Sequence, residues 1–530
     1  MSSFKERIKN NPWSAIIIIV LLILLAFKIL STVNNNRREL FVKAENWDKL
    51  MLVLSEIDNN YVDSINKKGI TEKIIPYILE SLDPHSIYLP PQELKDADEI
   101  LEGNFDGIGI QFNVPNDTAI VISVITGGPS ERAGLLSGDR IVQVNKETVA
   151  GIKMPQDSLV KRLRGKSGSV VNVGIKRGNS NKLVNFDIKR DRIPVKSIDV
   201  AYMVDDNTGY IKLSKFSRTS HKEFLEAVKD LKNDGMKDLI FDLRGNNGGY
   251  FDQAFLLANE FLKKGELIVY MEGLHRKRQD FFADNNGTCN DIGLKVLIDE
   301  GSASSSEIFA GAIQDNDRGV VIGRRSFGKG LVQEPINFTD KSGIRLTVAR
   351  FYTPTGRSIQ KPYSKDYQYD ILERYKHGEM SFADSIRKND SLKFTTPKGK
   401  IVYGGGGITP DIFVPVDTVG VNDFFIKASN QGLAFKFSSL MADEYRPKLK
   451  DIKDIKSLNM LFSSIDFEKR FLIYAATNNL KPKNGEWSQC RDVILTQIKA
   501  LVGRYSPLDD EAFYPIMAEI DKVMKIATEQ

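Results

Sequence analysis

The feature that most constrains this chain is an alternation of short apolar strands with amphipathic helices that begins at Gly209. Tyr210 to Phe216 reads as a strand, and Ser220-x-x-Glu223 starts an amphipathic helix as a capping box. Leu239-Ile240-Phe241 is a short buried strand and Phe251 to Lys264 a helix. Leu267 to Met271 and Leu294 to Ile298 are further strands; a helix follows from about Ser304, and Gly319 to Ile322 is another strand. Such alternation predicts an α/β layer structure.

A chain of 530 residues is too long for one core and implies about three or four units. Residues 40 to 103 carry apolar positions at helical spacing, broken by Pro84 and the Pro90-Pro91 pair. From Phe105 the texture changes to short strands (Gly107 to Phe112, Ala119 to Val124, Arg140 to Val144, Val170 to Lys176) separated by glycine turns. One helical turn at Ser130 to Gly134 and a helix near Ser158 to Leu163 complete a compact unit over 104–192. The α/β part occupies 193–416, with a polar insertion at 363–400 and a flexible joint at Gly404 to Gly407. Residues 417–530 read as helical and carry no chemical motif.

At the N-terminus, Trp13 to Phe27 is apolar apart from Ser14, the length at which a signal-peptide core and a short spanning helix converge. No small-x-small cleavage site follows, so the expectation is an uncleaved signal anchor over 13–30. Lys5, Arg7 and Lys9 place residues 1–12 in the cytoplasm, although Arg37 and Arg38 on the far side count against that orientation.

Composition removes several function classes. With 41% apolar and 27% charged residues the chain is globular, and a net charge of +5 without a basic stripe leaves no case for nucleic acid. Cys289 and Cys490 stand far apart and the four histidines are scattered, so neither a metal nor a cofactor is expected.

Three segments could carry chemistry. Gly301 to Ile308 follows a buried strand and opens a helix, where free N–H groups and the helix dipole favour a nucleophile at Ser304; taken alone, Ser304-x-x-Glu307 reads first as a capping box, a role that does not exclude the other. Lys329 lies 25 positions later between two glycines and beside Phe327, Leu331 and Val332. Such an apolar setting lowers a lysine pKa and makes a base, whereas in a plain loop the same residue is only an exposed lysine. Asp242 to Gly249 ends a buried strand in a glycine-rich turn able to aim amides at a carbonyl. Two further patterns mislead. Gly323 to Gly330 approaches a Walker A loop but has glycine where Ser or Thr is required, and Ser326-x-x-Lys329 recurs elsewhere as SxxK without its companion motifs.

Six blocks in order resemble the C-terminal processing peptidases, the tail-specific proteases of family S41. They are Leu82 to Ser86, Gly107 to Phe112, Asp242 to Gly249, Ser302 to Glu307, Phe327 to Gln333 and Gly404 to Asp411, and the likeness spans about 70% of the chain. The resemblance implies a PDZ domain over 104–192 and a protease core of the crotonase/Clp type over 193–416. It implies that Ser304 is the nucleophile, Lys329 the general base and Gln333 the residue that orients the lysine. The amide of Ser305 and one from Gly248 or Gly249 would form the oxyanion hole. Gly107, Ile108, Gly109 and Ile110 match the loop that binds a terminal carboxylate, so the expected partners are proteins or peptides with apolar C-termini. With the anchor, this suggests a single-pass protein of the bacterial inner membrane with its catalytic part in the periplasm. The tail is left as an oligomerisation element, an active-site cover or an adaptor site. A catalytically silent PDZ scaffold and a nucleotide-dependent enzyme using Gly323 to Gly330 are the competing readings.

Overall fold

The computed structural model describes residues 19–26, 28, 46–114, 117–178, 180, 182–363 and 367–530. Half of the proposed anchor, and residues 40–45, lie outside them. Among the described residues no helix is long and apolar enough to cross a membrane.

The chain divides into a unit up to Ile78 and a unit from Leu79 on. The first holds the helix Asn46–Asn60, none of whose residues is buried, and most of the helix Lys67–Glu80. The helical reading of 40–103 misses one element of the second unit. Ile87–Leu89, between the prolines, is a strand that pairs antiparallel with Gly343–Arg345. The two prolines then start a helix instead of merely breaking one: Pro90 is the N-cap and Pro91 the first residue of Pro91–Leu101, where a missing N–H costs nothing.

Residues 104–194 form the β-rich unit. Ile110–Asn113, Ala119–Val124, Arg140–Val144, Val170–Lys176 and Leu183–Lys189 make one antiparallel sheet in that order, with Glu147–Thr148 paired to its third strand. Buried residues of these strands (Val121, Ile141, Val144, Val173, Ile175) close a core with Leu159 and Leu163 of the helix Gln156–Leu163. A two-stranded neck, Asn104–Gly107 against Asp191–Pro194, joins the unit to the rest.

The α/β part is built on a six-stranded sheet in the order Ile198–Met203, Thr208–Leu213, Asp238–Asp242, Gly293–Ile298, Val320–Gly323, Ile412–Phe413. The first pair is antiparallel and the others parallel. Helices Ser220–Asn233, Phe251–Asn259 and Ser305–Asp315 supply residues to the core on one face. There Phe224, Phe241, Phe261 and Phe309 meet edge to face or tilted, with centroids 5.0 to 5.8 Å apart. Truncating any one to alanine costs about 3–5 kcal/mol. Leu267–Gly273, which reads as one more strand of the alternation, belongs instead to a second, antiparallel sheet with Arg276–Phe282, Gly343–Tyr352, Leu331–Asn337 and Ile87–Leu89.

The helical tail has its own core around Phe437, Leu458, Phe471, Ile494 and Ile498. Its last helix, Lys522–Glu529, does not stand apart. Val523, Met524 and Ala527 pack on Tyr210, Ile240, Leu297 and Ile322, covering the second face of the parallel sheet. A sheet with both faces buried requires a cover on each side, and here the chain's own end supplies the second.

Candidate active site

Four parallel strands end near one another, and the segments after three of them build the site. The turn after Asp238–Asp242 is fixed first. Asp242, fully buried, accepts from Tyr210 Oη at 2.7 Å and from the Arg244 side chain at 2.6 to 3.1 Å. Burial pushes its carboxyl up, but Arg244 and Lys212 more than offset this and hold it far below the usual carboxylate range. Asn246 then locks the turn: Nδ2 donates to the Leu213 carbonyl at 2.9 Å and Oδ1 accepts the Gly248 amide at 2.9 Å. Gly248 has φ +100°, and a Cβ there would lie 2.8 Å from Ser304 Cβ. At Gly249 a Cβ would strike the Phe216 carbonyl at 2.1 Å. Only glycine allows this turn to press on the start of the next helix.

That helix is Ser305–Asp315, with Ser304 as its N-cap. Ser304 has φ +55°, a conformation that a non-glycine residue holds at a cost of roughly 1–3 kcal/mol and that concentrates at functional sites. The three adjacent serines separate cleanly. Ser305 is buried and its hydroxyl donates to the Gly249 carbonyl at 3.0 Å, while Ser306 donates to the Asn246 carbonyl at 2.8 Å. Ser304 is half-buried and its hydroxyl carries no side-chain cap hydrogen bond. The expected capping box is present through its reciprocal half: Glu307 Oε2 accepts the Ser304 N–H at 2.8 Å. Among the described residues the amides of Ser305 and Gly249 have no acceptor, whereas that of Gly248 is taken by Asn246.

Lys329 lies on the segment leading into the strand Leu331–Asn337. Its Nζ donates to Gln333 Oε1 at 3.0 Å, and Gln333 Nε2 donates in turn to the carbonyl of His85. Burial first, and then the Arg345 charge, lower the Lys329 pKa; Glu307 and Asp83 oppose them. No hydrogen bond joins Lys329 Nζ to Ser304 Oγ among the described residues. Catalytic hydrogen bonds of this kind commonly tighten only when substrate arrives.

The loop at Asp83 to Ser86 was legible in the sequence as a block but not as a support. Asp83 accepts the amides of His85 and Ser86 at 2.7 and 2.8 Å, which aims the His85 carbonyl at Gln333. His85 Nε2 meets Tyr367 Oη at 2.6 Å, and burial followed by the Lys329 charge pushes its pKa down to about 4, so the ring is neutral. The insertion also contributes: Arg374 donates to the carbonyls of Ser326 and Arg325 at 3.0 and 2.6 Å.

The phosphate-loop reading fails on geometry. The amides of Gly328 and Lys329, which would have to meet a phosphate, point at the Glu307 carboxylate at 2.7 and 2.9 Å. Ser326 is likewise consumed, donating to Glu307 and accepting from Ile408 N–H. In the β-rich unit, Gly107, Ile108 and Gly109 are buried and Ile110 half-buried. Gly109 has φ +75°, and the amides of Ile108 and Gly109 find no acceptor among the described residues.

Comparison with known proteins gives three matches along the chain: a PDZ domain at residues 107–189, Peptidase family S41 at 207–370, and a family of unknown function at 424–506. A carboxy-terminal-processing protease of Bartonella bacilliformis is 35% identical over 384 residues, covering 70% of this chain and 86% of that protein. A probable CtpA-like serine protease of Staphylococcus epidermidis is 33% identical over 366 residues, covering 68% of this chain and 73% of that protein. The carboxy-terminal processing protease CtpA of Bacillus subtilis is 32% identical over 346 residues, covering 63% and 73%.

Proposed function

This chain belongs to peptidase family S41, the carboxy-terminal processing serine proteases with a PDZ domain, and we propose that within it Ser304 is the nucleophile and Lys329 its general base. The observation that carries the assignment is the sorting of the three serines. The hydroxyls of Ser305 and Ser306 are spent on buried carbonyls, and among the described residues that of Ser304, at a strained helix start, donates to no other group.

In the proposed reaction, neutral Lys329 Nζ takes the Ser304 Oγ proton as Oγ bonds to the scissile carbonyl carbon. The oxyanion is held by the amides of Ser305 and Gly249, in place of the Gly248 amide that Asn246 occupies. Collapse breaks the C–N bond, and the Lys329 ammonium returns its proton to the departing amine. Water, deprotonated by Lys329, then releases the acyl group and restores Ser304. Gln333 orients the lysine by accepting from Nζ.

Substrates are proteins or peptides. We further propose that the unpaired amides of Ile108 and Gly109 take the terminal carboxylate of chains with apolar C-termini. The apolar run from Trp13 supports a membrane anchor over residues 13–30, with the peptidase outside the cytoplasm. A silent scaffold has no use for a strained serine and a desolvated lysine.

Cleavage of an unfolded protein with an apolar C-terminus tests the dyad. Ser304→Ala and Lys329→Ala are expected to abolish turnover, and a serine-reactive probe to label Ser304 alone. Cleavage by Lys329→Ala at the wild-type rate, or labelling at Ser305 or Ser306, would overturn the assignment.

A further inference from the structure

Glu307 has a role that its place in a capping box does not exhaust. Its side chain is completely buried, and four donors converge on it. Oε2 accepts the amides of Ser304 at 2.8 Å and Lys329 at 2.9 Å; Oε1 accepts the Gly328 amide at 2.7 Å and the Ser326 hydroxyl at 2.5 Å. A carboxylate offers about four lone-pair directions, and here every one meets a donor. Three of the four donors are backbone N–H groups, which cannot accept, and the fourth is a hydroxyl that already accepts from the Ile408 amide, so the shell matches the carboxylate anion. Burial raises its pKa above the usual carboxylate value, and the four hydrogen bonds offset that only in part.

We propose that Glu307 is a positioning residue for catalysis, one that fixes nucleophile and base in mutual register by tying the backbones of Ser304 and Lys329 to a single carboxylate. This rests on the Ser304–Lys329 reading above. Ser304 and Lys329 lie on different segments, and among the described residues no hydrogen bond joins their side chains. Among the described residues Glu307 Oε2 is the one atom that hydrogen-bonds to both, so their separation is set through it. A displacement of about 1 Å at a reacting pair can cost on the order of a hundredfold in rate.

The same carboxylate acts on the base by charge. The charged and titratable groups facing Lys329 come from three elements: Glu307 from the helix, Arg345 from the long antiparallel strand, and Asp83 and His85 from the loop before Ile87. Burial and Arg345 favour neutral Lys329, and Glu307 and Asp83 favour its ammonium form. Removing the Glu307 charge therefore lowers the Lys329 pKa. Because the neutral amine is the active form, the rising limb of the pH–rate profile then moves to lower pH.

The test measures kcat and KM against pH for E307Q and E307D. The side chain introduced by E307Q is isosteric but presents an amide N–H to donors, so kcat is expected to fall by about a hundredfold with KM little changed, and the rising limb to shift to lower pH. E307D keeps the charge but retracts it, so kcat falls and the limb stays near its wild-type position. Wild-type kcat in E307Q, or a loss of kcat with the limb unmoved, would overturn the proposal. Should E307Q fail to fold by circular dichroism, Ser326→Ala carries the test, since it deletes one of the four donors. A several-fold loss of kcat supports the clamp, and an unchanged kcat sinks it. Turnover by Ser304→Ala or Lys329→Ala in the same assay would instead indict the dyad itself, which keeps the two failures apart.

Discussion

The two sides of the site are held in opposite ways. On the proposed oxyanion turn, the restraints come from the turn itself and from the strand beside it, and they address the backbone: Asp242 binds the Arg244 amide, and Asn246 binds the Gly248 amide and the Leu213 carbonyl. On the side that offers the base, the restraints come from afar and address a side chain. Lys329 leans on Gln333, Gln333 on a carbonyl 248 positions upstream, and the preceding segment on Arg374 of the insertion. Electrostatic stabilisation needs donors that do not move, and a backbone turn locked by its neighbours provides that. A base needs a pKa matched to its task, and charges gathered from several elements set one. The turn is therefore intolerant of any change in shape, and the base side is adjustable by degrees.

The largest test of that contrast is Gly248→Ala. The added Cβ would meet Ser304 Cβ at 2.8 Å and the Ala303 carbonyl at 2.9 Å, in a backbone conformation already unfavourable for alanine. Loss of a working oxyanion site predicts a fall in kcat of about a hundred- to a thousandfold, read by steady-state kinetics on a peptide substrate. Gln333→Ala should be milder. Lys329 loses an acceptor at 3.0 Å but keeps its burial and its backbone ties, so about tenfold is expected from one hydrogen bond to a charged group. If Gln333→Ala costs as much as Gly248→Ala, the base side is no more adjustable than the turn and the contrast fails.

The same asymmetry decides what could be read from the sequence. Strands such as Ala119–Val124 and Asp238–Asp242, and the helix beginning at Ser305, announce themselves through alternation, a capping box and flanking glycines. Those signals are local, and the glycines and Asn246 that shape the oxyanion turn lie within one such stretch, although most of their partners sit on neighbouring strands and on the next helix. The strand Ile87–Leu89 carries no such signal, because a three-residue strand exists only through its partner at Gly343–Arg345. The assignment of Leu267–Gly273 to a second sheet is likewise invisible, since a strand's own residues do not say which sheet accepts it. Glu307 was visible but under-read: the spacing that makes it a cap accounts for one of its four bonds and hides the other three. For the supports of Lys329, the block at Leu82 to Ser86 had a signal and no role, and Arg345 and Arg374 had neither.

One restraint on the turn comes from beyond the strands and helix beside it, and it gives the smallest and sharpest test. Arg244 Nη1 pairs with Asp521 Oδ2 at 2.8 Å, so the start of the last helix reaches the residue just before the oxyanion turn. Asp521 also caps that helix, accepting the amides of Val523 and Met524 at 2.9 and 3.2 Å. Asparagine caps nearly as well as aspartate, so Asp521→Asn removes the charge facing Arg244 and leaves the helix start intact. Arg244 keeps its bidentate contact with Asp242, and the local network is sufficient to hold the turn. The expected outcome is a stability loss of about 1 kcal/mol by denaturant unfolding, with kcat reduced by no more than about threefold. A kcat loss approaching that of Gly248→Ala would mean that the tail, rather than the neighbouring strands, sets the oxyanion turn. In that case both sides of the site would be held from a distance, and the C-terminal helices would have to be counted as part of the catalytic unit.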